Sequence, residues 1–380
     1  MAAIGGLPPT DTRFTSSLDA RSPIEDSEGV ETKPADKPKA LQWTDGMVDS
    51  RVEERRQRAL KVAGVTGAET VAPSGGPYAA FGKGVNEVLD KAQGDRFTVF
   101  GDTDHGSTEK YKALGSPEAL NALKDHDVKV IALETRHEFQ GFADKLKDDS
   151  YSPEQYAKDV ASEYSRVLGD GGDKNAKEAL AKSGLPKEAV LGSIESKTLE
   201  EGKLIKNAWS KGIRPACVEG QFPSLGAHTE GVLTQYMAIK EKNEVVGAWK
   251  EKIDQAPPNE KAKLEAGMKD AKAKLDAKSS SWEEARAKHD LALSENIKTA
   301  ANGDKTVVLY GNSHGKGAND LDEFLGAKRV DLAMSDQSAK NQAALYAAMR
   351  EPDFKGPKIA DPPEAILSTT GALEWVKGKE

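Results

Sequence analysis

Five short apolar runs, residues 96–101, 128–134, 212–219, 305–311 and 328–333, each end near a polar cluster and lead into a charged stretch of helical pattern. They include "FTVFG", "VKVIALE", "IRPACVEG" and "KTVVLYGN". Strands that read as continuous apolar segments belong to sheets covered on both faces, and strands alternating with helices connect as parallel βαβ units. The expected fold is α/β: a small, mostly parallel sheet flanked by helices. In such a sheet the carboxyl ends of the strands share one edge, where ligands bind, so residues far apart in the chain meet there.

The rest of the chain divides around this core. Residues 1–42 are rich in Pro, Ser, Thr, Asp and Gly with almost no apolar periodicity, which predicts a disordered N-terminal segment. Residues 43–94 read as a helical lead-in and residues 95–350 as the α/β domain. That domain carries two long helical insertions, 139–210 and 227–300, the second broken at a Pro pair in "DQAPPNE". Their mixed Lys/Glu faces fit solvated surface, with walls or a lid over the sheet edge as the functional alternative. Residues 351–380 read as a C-terminal tail.

Composition narrows the function. A net charge of -8 with Lys and Glu finely mixed gives no basic stripe for nucleic acid. No apolar stretch approaches the roughly 18 residues a membrane span needs, and the first residues lack the charged and apolar regions of a secretory signal. The single cysteine, Cys217, lies inside an apolar run, so the expectation is a small core residue and folding in a reducing cytoplasm. The expected partner is a small-molecule or host-cell substrate. The N-terminal composition also suits a segment translocated into a host cell by a signal-peptide-independent route.

Only six histidines are present, and two stand in matched frames just past strands, His105 in "GDTDHG" and His314 in "GNSHG". Glycine allows tight turns there, and a neutral imidazole serves as general base or metal ligand near neutral pH. Glu134 closes "VIALE" with a charge that needs a partner if buried. It reads either as an ion-pair partner of Arg136 or as the base or orienter of an imidazole. Glu219 in "CVEGQ" reaches the same edge as a second acid or caps the next helix. Asp102 and Asp104 are site residues or helix caps. His126 reads as a surface residue on the opposite edge, and His228 as a helix-opening residue near the site.

These motifs resemble the erythromycin esterase, ChaN and Tiki superfamily, in which a Gly-acid-x-x-His-Gly turn, a strand ending in Glu, an Arg-Asp-x-x-Met-Ala-x-Asn helix and a late Gly-x-x-His turn follow in order. "GDTDHG" is similar to the first, with Asp102 where the family has Glu; "IALE" supplies Glu134 and "YGNSHG" supplies His314. "HDLALSEN" is similar to the helix motif, with His289 in place of Arg and with Asp290 and Asn296 matching. The resemblance covers residues 95–335. It implies a parallel αβ sheet, helical insertions and a cleft at the strand ends. Its members include esterases that activate water with a histidine, metal-dependent peptidases, haem-binding proteins and bacterial virulence proteins. At His289 a titratable ring replaces a permanent charge.

The expected activity is hydrolysis of an ester or related bond. His105 deprotonates water, Glu134 fixes its tautomer, and His314 stabilises the oxyanion or protonates the leaving group. His289 and Asn296 face the cleft, oriented by Asp290. No cofactor is required in this scheme. The alternatives are a metal-dependent peptidase holding Zn or Mn through His105, Glu134 and His314, with Glu219 as a further ligand, and a non-catalytic effector or binding module on the same fold.

Overall fold

The computed structural model describes residues 78–102, 107–220, 222–277, 281–311, 320–350 and 362–376. Residues 1–42, and 43–77 of the helical lead-in, lie outside the described residues, as do Asp104, His105 and His314.

All five expected strands form, within two residues of the predicted bounds: β1 (Phe97–Asp102), β2 (Val130–Arg136), β3 (Arg214–Glu219), β4 (Thr306–Gly311) and β5 (Lys328–Ala333). The segment read as a tail adds two more, β6 (Ala365–Ser368) and β7 (Leu373–Trp375). The sheet is seven-stranded in the order β3-β2-β4-β1-β5-β6-β7, parallel throughout except for the β6–β7 hairpin.

The helices are α1 (Ala79–Lys91), α2 (Glu109–Leu114), α3 (Pro117–Asp125), α4 (Gln140–Lys145), α5 (Pro153–Val167), α6 (Lys174–Ser183), α7 (Lys187–Ser210), α8 (Leu225–Gln255), α9 (Pro258–Ala277), α10 (Ser281–Ala301), α11 (Leu321–Leu325) and α12 (Asp336–Met349). Helices α4–α7 and α8–α10 are the two insertions, and the Pro pair separates α8 from α9. Local chemistry sets several starts. Ser116 and Ser152 each accept a hydrogen bond from the N–H three residues on, with proline at the first helical position. No helix among the described residues is long and apolar enough to cross a membrane.

The direction of travel across the sheet reverses once. From β1 the chain moves outward to β2 and β3, and Leu114, Leu120, Leu123, Tyr156 and Leu204 of the intervening helices pack in one core cluster. It then returns to β4 and moves the other way to β5, and Leu293, Leu321 and Leu325 pack in a second cluster. Right-handed crossovers demand this change of face when direction reverses. The reversal sets β4, whose connection leaves one way, between β2 and β1, whose connections leave the other.

The outer edge of β3 is closed without another strand. Pro215 has no N–H to satisfy, the Gln140 amide receives the Cys217 N–H at 2.7 Å and donates to the Pro215 carbonyl at 3.3 Å, and His137 Nδ1 lies 3.1 Å from the Glu219 carbonyl.

The C-terminal hairpin is bound from both sides. Lys91 Nζ sits 3.4 Å from the centroid of the Trp375 ring, and Gly371, with φ of 108°, occupies a place where a Cβ would collide with Ala80. Asp336 Oδ1 accepts from the Ser368 hydroxyl, from Thr370 Oγ1 at 2.7 Å and from the Ala372 N–H at 3.2 Å. Burial pushes the Asp336 carboxyl up, but these hydrogen bonds more than offset it, and the group titrates below the ordinary carboxylate range. A carboxyl depressed in the folded state contributes stability that is complete above the unfolded value of about 3.9 and is lost as pH falls. Asp336→Ala is therefore expected to lower the urea midpoint at neutral pH, and the gap to wild type is expected to close as pH drops below about 4. A gap independent of pH would contradict this role.

Candidate functional site

Charge is costly within a doubly covered sheet unless it is paired, as Arg329 and Asp331 are inside β5, and the charges that end β1, β2 and β3 lie at the carboxyl edge. Asp102 ends β1, Glu134 and Arg136 end β2, and Glu219 ends β3, with His289 and Asp290 approaching from α10. Asp102 and Gly311 are register partners on the adjacent strands β1 and β4. His105 and His314 each lie three positions beyond a member of this pair.

Asp102 does not cap a helix. It forms a buried ion pair with Lys110 in the first turn of α2. Glu134 does not pair with Arg136. Pairing of β2 with β4 ends at Leu133–Leu309, because β2 shifts register against β3 at this point. Gly311 N–H would otherwise continue that ladder, and it donates instead to Glu134 Oε2 at 2.9 Å.

Arg136 is buried. Its Nη2 donates to Glu138 at 2.6 Å and to the Phe222 carbonyl at 3.2 Å, while Nε and Nη1 are buried with no hydrogen-bond partner among the described residues. Glu219 does not cap α8, whose cap is Ser224; its Oε2 accepts from the Tyr310 hydroxyl and lies 3.5 Å from His289 Nε2. Asp290 is buried, and Asn296 donates to the Val218 carbonyl at 3.2 Å, so its amide supports the end of β3.

Other titratable groups have structural partners. Glu201 of α7 is buried beneath the β2 tip, bonded by Thr135 Oγ1 and by the Tyr156 hydroxyl at 2.8 Å each. Burial pushes its carboxyl up, and those hydrogen bonds pull against the rise. Burial likewise pushes the Cys217 thiol well up, which suits a core residue and not a thiolate nucleophile. His126 is tied to Asn86 at 3.1 Å, at the far end of α3, and His228 packs edge-on against Phe222.

No site motif of the sequence rests on Lys110 or Tyr310. Tyr310 directly precedes the "GNSHG" turn, and Lys110 lies eight positions after Asp102, so proximity in sequence was the available signal. Among the described residues no group of three or more His, Cys, Asp or Glu side chains is arranged to hold a metal ion. A cleft of about 350 Å³ lies elsewhere, in the helical layer, lined by Tyr78, Tyr111, Lys112, Glu118, Lys203 and Asn207. None of the strand-end carboxylates lines it.

Fold and geometry together define an open, mostly parallel α/β sheet in which the direction of the connections reverses at β4, between β2 and β1; ligands of such sheets bind outside the carboxyl ends of the strands at reversals of this kind. No protein-family model and no curated protein matches the chain. Among solved structures, it is similar to that of the type III effector HopBA1, at 13% sequence identity and a TM-score of 0.36, over 71% of this chain and 89% of that one.

Removing one member of a buried ion pair costs more than replacing both, because the remaining charge loses its counter-charge. Lys110→Met is expected to destabilise the protein by about 3–5 kcal/mol in denaturant unfolding, and Lys110→Met with Asp102→Leu by clearly less. Equal losses would show that the pair carries no such coupling.

Proposed function

We propose that the crevice between the tips of β1 and β4 is a hydrolytic centre that activates water against an ester or related bond, as the resemblance to the erythromycin esterase, ChaN and Tiki superfamily implies. The observation that carries this reading is the Asp102–Gly311 register pair: the chain leaves two adjacent strands at the same level, three positions before His105 on one side and before His314 on the other. Glu134 supports it further, because its carboxylate is bonded to the N–H of Gly311 at the mouth of the second turn.

In this reading His105 takes a proton from water, and the hydroxide attacks the carbonyl carbon. Glu134 holds the imidazole in the required tautomer. Negative charge develops on the carbonyl oxygen, and the buried donors of Arg136 are the groups we assign to it. His314 gives a proton to the leaving oxygen, releasing an alcohol and an acid. Asp102 is kept for the end of β1 by Lys110, and Asn296 for the end of β3.

Purified protein and its His105→Ala variant would be compared on p-nitrophenyl butyrate. The variant is expected to lose at least about a hundredfold in kcat with an unchanged circular dichroism spectrum. Wild-type turnover by the variant would end the hydrolytic reading. In the same assay, loss of wild-type activity on chelation, restored by Zn or Mn, would favour the metal-dependent version through His105, Glu134 and His314.

Translocation into a host cell is a separate reading, supported by the Pro, Ser, Thr, Asp and Gly-rich composition of residues 1–42. A reporter fused to these residues is expected to reach host cells from bacteria with a dedicated secretion apparatus. Retention of the fusion inside the bacteria would contradict it.

A further inference from the structure

Three buried side chains from three elements share one contact at the strand tips. Tyr310 of β4 donates its hydroxyl to Glu219 Oε2 of β3, and His289 Nε2 of α10 lies 3.5 Å from the same oxygen. A buried carboxylate persists only where its oxygens are held by fixed partners. The phenol is suited to that task. Burial, and then Glu219, Glu134 and Asp290, push its ionisation well above the ordinary range, so it remains a donor at every working pH. Its position in the chain adds a second constraint: Tyr310 directly precedes Gly311, whose N–H holds Glu134. Two successive residues of β4 thus hold the carboxylates that end β2 and β3.

We propose that Tyr310 is a positioning residue of the strand-end centre, whose phenol fixes the Glu219 carboxylate beside the His289 imidazole and so sets the orientation of that ring. The role in turnover rests on the hydrolytic reading above. Among the described residues, the charged groups around the cluster are Glu134 and Arg136 from β2, Glu219 from β3 and Asp290 from α10; Arg136 is the register partner of Glu219. The carboxylate lies 3.5 Å from the ring nitrogen, so releasing it from the phenol changes the field at the imidazole. A purely space-filling role predicts no such change, because phenylalanine keeps the volume of tyrosine.

The test uses the full chain labelled with nitrogen-15 at histidine, with Tyr310→Phe and Glu219→Gln as the variants. Both are expected to displace the ring-nitrogen signals assigned to His289 at fixed pH. Tyr310→Phe is also expected to lower kcat for p-nitrophenyl butyrate by about tenfold and to alter its pH profile, with KM little changed. Ring signals that stay at their wild-type positions in Tyr310→Phe, with Glu219→Gln as the control that displaces them, would overturn the proposal whatever the activity. Displaced signals with wild-type kcat and pH profile in Tyr310→Phe, while His105→Ala is inactive, would overturn the positioning role and leave the hydrolytic reading intact. Wild-type turnover by His105→Ala would remove the hydrolytic reading, and the ring signals would still decide whether the phenol orients His289. If Tyr310→Phe does not fold, fluorotyrosine at position 310, which alters the phenol's hydrogen bond and keeps the ring in place, decides the same question through the same His289 signals.

Discussion

The backbone ladder between β1 and β4 is the constraint on which the candidate site depends. Six consecutive register pairs, from Phe97–Thr306 to Asp102–Gly311, bring the two strands to a common end. A slip of one residue would turn every side chain of a strand to the opposite layer, so the two apolar clusters on either side hold the register. The chain leaves β1 in one direction and β4 in the other, and the proposed crevice rests on that topology before any side chain is considered.

At the strand tips, each carboxylate is handled by different chemistry, Asp102 and Glu219 buried and Glu134 half-buried. Asp102 meets an ammonium, Glu134 a backbone N–H, and Glu219 a phenol and an imidazole. Taking a carboxylate out of water costs several kcal/mol, which only close, well-aligned partners offset. These partners come from different strands and helices, so each carboxylate also ties two elements together. Such cross-links between elements are what a site built on strand ends requires of the scaffold beneath its loops.

Much of this was legible in the sequence, and the exceptions have physical reasons. The five central strands stand out because a strand buried on both faces cannot alternate polar with apolar residues. The segment read as a tail hid β6 and β7, because "AILS" and "LEW" are too short to display a period and depend on Asp336, Trp375 and Gly371 contacts made across the fold. Placement of Asp102, Glu134 and Glu219 at one edge followed from strand order alone. Their partners did not: Tyr310 and Glu219 are 91 positions apart, and the Glu134–Gly311 bond exists only because β2 shifts register after Leu133. Asn296 reads as a cleft residue from its motif, and the bond from its amide N–H to the Val218 carbonyl has no signal there.

The most direct test of the account is the distance between positions 105 and 314. With Cys217 replaced by Ala, nitroxide labels on His105→Cys and His314→Cys would be measured by electron–electron dipolar spectroscopy. Loops leaving paired residues of adjacent strands predict one narrow, short distance. A long or broad distribution, with the two labels on separate parts of the molecule, would contradict a shared crevice.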